Sequence, residues 1–203
     1  VCGLVIKQLK QIVDIPNFKN DRQVSINITW VKTKILVKIC ESLAFDALFI
    51  AETYFPEICF IVSMLINIGP YDLRISVRNL IINVFHSFLS KEGLSEVARD
   101  HVLKTIDEFS GPGSKVNFGL VKLKNESYDV LSNRPDQVFG AYKHLETFCV
   151  SLLKLIEFQP FNIRSVWKGR WSGYVLSAAF RQHGPLQGRG VLISGMLCKS
   201  GIS

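Results

Sequence analysis

The 203-residue sequence predicts an all-α fold, arranged as a right-handed solenoid of stacked helical hairpins. Three observations point there. Apolar residues recur at helical spacing along most of the chain, and no segment shows the alternation of a half-buried strand. Breaks rich in Gly and Pro separate these segments at intervals of roughly 15–25 residues, the rhythm of antiparallel hairpins. Two of the breaks also echo each other: "GPYDLR" at 69–74 and "GPLQGR" at 184–189 share Gly-Pro and an Arg at the same spacing. Their separation is near three repeats of about 40 residues, the HEAT/armadillo period. Asp72 followed by Val77-Arg78 is similar to the start of the second helix of such a repeat. An irregular globular helix bundle is the alternative architecture.

The elements follow in order. Residues 1–13 read as a helix, broken by "DIPNFKND". Residues 28–45 form the next, with Val31, Ile35, Ile39 and Leu43 recurring every four and Leu36 and Cys40 beside them. A third helix starts near Pro56, because proline suits a first turn, and Gly69-Pro70 ends it. The fourth, 71–90, carries two apolar stripes. Leu73, Val77, Leu80, Ile81, Val84 and Phe88 make the first; Ile75, Ile82, Phe85 and Leu89 make the second. Only a thin strip that includes Ser76, Asn79, Asn83 and Ser87 is left polar. A helix covered on two sides is what an inner solenoid helix requires, with the polar strip facing the groove.

Gly93 ends that helix, and Leu94, Val97, Val102, Leu103, Ile106 and Phe109 mark a fifth. The stretch near 110–134 reads as loop-rich. A long helix resumes near Pro135 with Val138, Tyr142, Leu145, Phe148, Cys149, Leu152, Leu155 and Ile156. "FQPFN" breaks it, 161–181 form the next, and a final apolar helix runs to about Cys198. The whole chain, 1–203, is read as one solenoid segment, and its opening without Met inside an apolar pattern reads as a piece cut from something longer.

Composition narrows the function. Hydrophobic residues are 48% and charged residues 20%, enough for a large core. The longest uncharged apolar stretch, from Ile58, is closed by Pro70 short of the roughly 20 residues a membrane span needs, so it reads as a core helix. The net charge of +7 is spread thinly, which suits weak attraction to acidic membrane surfaces or a merely solvated exterior. Five scattered cysteines without CxxC fit reduced, buried thiols in a cytosolic protein.

No catalytic or metal-binding pattern emerges. His86, His101, His144 and His183 lie on separate segments, none with a second ligand three or four residues away. "GPGSK" at 111–115 lacks the spacing of a phosphate-binding loop. The sequence predicts no cofactor, no metal and no nucleic-acid partner. The strongest surface candidate is "RSVWKGRW", 164–171, where Trp167 and Trp171 share a helix face beside Arg164, Lys168 and Arg170. These five residues, with Asn79 and Asn83 of the polar strip, are the candidates for partner binding. The competing reading has the two tryptophans packed between helices with the cations around them.

"LIINVFHSFL" and its surroundings resemble the C-terminal part of neurofibromin and of its fungal relatives, the inhibitory regulators of the Ras–cyclic-AMP pathway. The family's "GP-x-x-x-R … L-x-I-N-x-x-H-S" pattern is matched by Gly69, Pro70, Arg74, Leu80, Ile82, Asn83, His86 and Ser87. "TIDEFSGPGSKVNFGLVKLK" (105–124), "HLETFCVSLLKLIE" (144–157), the Trp167/Trp171 spacing and "GPLQGRGVLISGMLCKSG" are similar to further family segments in the same order. The likeness covers about 28–203; residues 1–27 match poorly and the 125–140 loop differs.

The resemblance implies a very large cytosolic protein combining a Ras GTPase-activating domain, a lipid-binding module and long HEAT/armadillo-like flanks. This segment is similar to a flank. The family's arginine-finger context is not reproduced by "DLRIS" or "NIRSV", so no catalytic residue is assigned. The implied role is a non-catalytic scaffold that positions domains, self-associates as a homodimer or docks protein partners. Ras would be met only through another domain, in the cytoplasm or peripherally at membranes. A stand-alone protein-binding module with weak membrane contact is the alternative.

Overall fold

The computed structural model describes residues 2–13, 28–120, 135–181 and 185–199, and all the regular structure among them is helical. The helices are α1 (Cys2–Val13), α2 (Ile28–Leu43), α3 (Leu48–Leu65), α4 (Tyr71–Leu89), α5 (Glu96–Ser110), α6 (Ser114–Asn117), α7 (Pro135–Glu157), α8 (Phe161–Arg181) and α9 (Pro185–Lys199). Local chemistry explains several boundaries. Ser95 accepts a hydrogen bond from the Ala98 amide and so caps α5. Gly69 takes φ 81° between α3 and α4, where a Cβ would strike Trp30 and Leu73 at 2.7 Å.

The α3 start differs from the sequence expectation. The helix begins at Leu48, and Pro56 lies inside it. The Ile50 and Ala51 amides already donate to the Ala47 carbonyl, and Ser87 Oγ holds the Ala47 amide at 3.0 Å. Burial of Ala51, Phe55 and Pro56 on both sides of the interruption outweighs the lost helical hydrogen bond, a cost of about 3 kcal/mol for an interior proline. Arg170 donates to the Thr53 carbonyl, at 3.2 Å, in the turn that Pro56 disturbs.

Helices α1 and α2 pair, as do α3 and α4, and the pairs lie side by side with α1 against α3 and α2 against α4. The α2–α4 contact is parallel. Lys34 meets Asp72, Glu41 meets Asn79, and the carbonyls of Glu41 and Ala44 meet Asn83 and Ser87, so partners advance together with an offset of 38 to 43 residues. Helix α5 packs on α4, and α7 joins α5, α3 and α9.

The α8–α9 pair departs from neighbour-on-neighbour stacking. Both helices reach back across more than 100 residues to pack on α3. As a result α3 is enclosed from its third turn onward: every residue from Phe55 to Ile66 is buried, while Phe49 in its first turn is exposed. By length and composition α3 could cross a membrane, yet 67% of it is covered by the other helices.

The two arginines of the echoed Gly-Pro motifs have similar environments. Arg74 is buried and donates to the Gly119 carbonyl at 2.6 Å. Arg189 is buried and donates to the Ile66 carbonyl at 2.6 Å, next to the C-terminal end of α3. The loop-rich expectation holds a packed element as well. Within "GPGS", Ser114 Oγ sits 2.6 Å from the Phe109 carbonyl, and Phe118 is buried against Phe109 and Phe148. The remainder of that stretch, 121–134, lies outside the described residues.

Candidate functional site

The "RSVWKGRW" segment forms the first turns of α8. Trp167 is 5% exposed and Trp171 fully buried. Trp167 stacks on Phe55 of α3 at 4.7 Å and meets the edge of Phe88 of α4 at 6.0 Å. The indole nitrogen of Trp171 is buried without a hydrogen-bond partner. Both rings therefore fill the space between helices, which is the packing alternative for this segment.

The flanking cations bind carboxylates within the chain. Arg164 reaches Glu157 Oε2 at 2.9 Å, and Lys168 bonds the other oxygen of the same carboxylate. Burial alone would raise the Glu157 carboxyl, but the hydrogen bonds and charges of Lys168 and Arg164 bring it below the ordinary range. Arg170 Nη2 lies 2.6 Å from Glu57 Oε1, and the Tyr174 hydroxyl donates to that same oxygen at 2.6 Å.

Glu57 sits in α3 and is buried, with its second oxygen unpartnered. Burial pulls the Arg170 guanidinium down, and the Glu57 carboxylate reverses this to a net rise. The Tyr174 hydroxyl is raised by burial and by Glu57. Lys10 Nζ lies 3.4 Å above the Tyr174 ring, which brings α1 to the same cluster. Chemically this is a hydrogen-bonded ion pair that ties α8 to the middle of α3.

Asn79 and Asn83 are likewise engaged. Asn79 Nδ2 donates to Glu41 Oε1 at 3.1 Å, and Asn83 Nδ2 donates to the Glu41 carbonyl at 2.9 Å. Ser87, on the same strip, donates to the Ala44 carbonyl at 2.9 Å. Asn83 and Ser87 satisfy carbonyls at and just past the C-terminal end of α2, and Asn79 holds the Glu41 carboxylate there. The polar strip of α4 thus meets α2. No group of three or more acidic, His or Cys side chains able to hold a metal exists among the described residues.

The sequence reading missed a different surface. The most regular aliphatic stripe of α2 faces outward: Ile28, Val31, Ile35 and Ile39 are 68%, 40%, 52% and 36% exposed. Trp30, Thr33, Val37, Cys40 and Ala44 form the buried face instead. The signal lay in the lysines, since Lys32, Lys34 and Lys38 flank the outward stripe while the opposite face carries none.

Among the described residues the fold is all-helical, with buried and half-buried charged and amide side chains joining helix to helix. No protein-family model matches the chain. Inhibitory regulator protein IRA2 of Saccharomyces cerevisiae is 32% identical over 175 residues, which is 86% of this chain and 6% of that relative. Inhibitory regulator protein IRA1 of the same yeast is 30% identical over 173 residues, 85% of this chain and 6% of its own length. The chain belongs to the inhibitory regulator family and spans only a small part of these relatives.

Proposed function

We propose that this chain is a non-catalytic structural segment of a negative regulator of Ras signalling. The observation that carries the reading is the joining of α8 to α3. Residues with the chemistry to grip a partner, Trp167, Arg170 and Trp171, instead hold together helices more than 100 residues apart. Such a unit transmits position between the parts of a long protein. The similarity to two inhibitory regulators supplies the regulatory context. GTPase activation would belong to another part of the parent, and the role here would be to fix geometry and to provide self-association or docking surfaces, in the cytoplasm or at a membrane face.

The parallel α2–α4 contact supports reading α1 to α4 as two HEAT/armadillo-like hairpins, with α8 and α9 folded back over them. A single-turnover assay tests the functional reading. Ras loaded with GTP should hydrolyse it at the intrinsic rate when the purified chain is present in excess. Acceleration by the chain alone would overturn the assignment.

A further inference from the structure

We infer that the groove between α2 and α4 receives an amphipathic helix whose bulky apolar stripe is flanked by acidic residues. The groove is open to solvent and offers about 610 Å³, room for several apolar side chains. Ile35, Ile39 and Leu43 of α2 and Ile75 of α4 line it, with Lys34 and Lys38 beside them. Beyond the groove the same exposed face of α2 continues through Val31 and Ile28, so the apolar track runs about three helical turns. That is the footprint of a helix laying successive anchors into a furrow. A free surface has little reason to place its most regular aliphatic stripe outward, and contiguous exposed apolar area marks a recognition site.

Charge selects the occupant. The exposed residues of α2 are Ile28, Val31, Lys32, Lys34, Ile35, Lys38, Ile39 and Ser42: aliphatic and basic, with no carboxylate. Asp72 of α4 is the acidic lining residue and pairs with Lys34 at 3.1 Å, while Lys38, itself 61% exposed, pairs with the largely buried Glu41 carboxylate at 2.9 Å. The exposed Lys34–Asp72 bridge contributes little and exchanges readily, and the exposed Lys38 ammonium has donors left for a second carboxylate. A second copy would set lysines against lysines, so self-pairing through this face is opposed. A helix bearing Glu or Asp beside Leu or Phe satisfies both features. A furrow between two parallel helices matches the successive side chains of a helix better than a flat lipid surface.

This goes beyond the scaffold reading and does not depend on it, because the Ras assay reports on that reading separately. The test uses two fluorescein-labelled synthetic helical peptides with the same Leu/Phe stripe, one flanked by Glu and the other by Lys. Anisotropy titration against the 203-residue chain should give saturable binding of the Glu peptide, at least about tenfold tighter than the Lys peptide, weakening with added salt. Ile35→Ser with Ile39→Ser should weaken it about tenfold or more. Lys34→Gln with Lys38→Gln should weaken it too and remove most of the salt dependence. Circular dichroism melts of both variants verify folding, since the two isoleucines are exposed. Absence of saturable binding, equal affinity for the two peptides, or binding untouched by both variants would overturn the proposal. So would recruitment of the chain to phosphatidylserine vesicles, lost in the isoleucine variant, when the Glu peptide does not bind.

Discussion

Replacing Trp167 by alanine separates the two readings of the basic–aromatic segment. The ring is 5% exposed, stacked 4.7 Å from Phe55 and 6.0 Å from Phe88. Truncating such a side chain removes its transfer free energy and leaves a cavity between α3, α4 and α8. The expected loss is about 3–5 kcal/mol, against roughly 0.5 kcal/mol for a surface substitution. In a chain of this size that corresponds to a fall in Tm of roughly 6–20 °C. Urea unfolding followed by far-UV circular dichroism measures it, with Lys168→Ala as the companion. The Lys168 side chain is 20% exposed and pairs with a Glu157 side chain that is 40% exposed, so its loss should cost about 1–2 kcal/mol, well below that of Trp167. If Trp167→Ala costs less than about 1 kcal/mol, the ring is not a core element and the assignment of α8 to the interior fails.

Other outcomes follow from the same geometry. Arg189→Met should cost about 1.5–3 kcal/mol in urea unfolding, because it leaves the Ile66 carbonyl without its buried charged donor. Because the Glu157 carboxyl is held below its unfolded value, its contribution is present above the ordinary carboxylate pKa and is lost as pH falls through the depressed one. Glu157→Gln should therefore flatten the acid limb of the stability–pH curve; an unchanged limb would contradict the contact with Lys168 and Arg164. Cys198 is exposed, whereas Cys59 and Cys149 are buried with thiols pushed up by burial. Peptide mapping after native alkylation should find Cys198 modified and the other two protected until the chain unfolds.

Much of the fold could be read from apolar spacing and breaks. Gly69-Pro70, Gly93 and Pro160 lie between helices, and the first stripe of α4, Leu73 to Phe88, is fully buried. Pro56 misled the reading of α3, because proline's local preference for a first turn lost to burial of the helix on several sides. The face of α2 was also not legible from spacing alone. Val31, Ile35 and Ile39 make the stronger periodic pattern, but Trp30, Val37 and Cys40 pack against the neighbours. Periodicity finds a helix without saying which stripe has a partner.

The candidate residues on α8 lay at the right positions for an exposed patch. Their partner carboxylates, Glu57 and Glu157, were distant or across a break in the sequence. A contact 113 residues long leaves no local trace that one chain can reveal. The Gly-Pro-Arg echo corresponds to a shared local role, since both arginines are buried and donate to a backbone carbonyl.

Hydrogen exchange of α3, read by mass spectrometry, bears most directly on the claim that one enclosed helix unites the structure. If α1, α4, α7, α8 and α9 all seal it, amides from Ile58 to Leu65 should exchange only through global unfolding and be the slowest in the chain. Exchange there as fast as in α2, or at a midpoint of denaturant distinct from that of α8, would contradict the account.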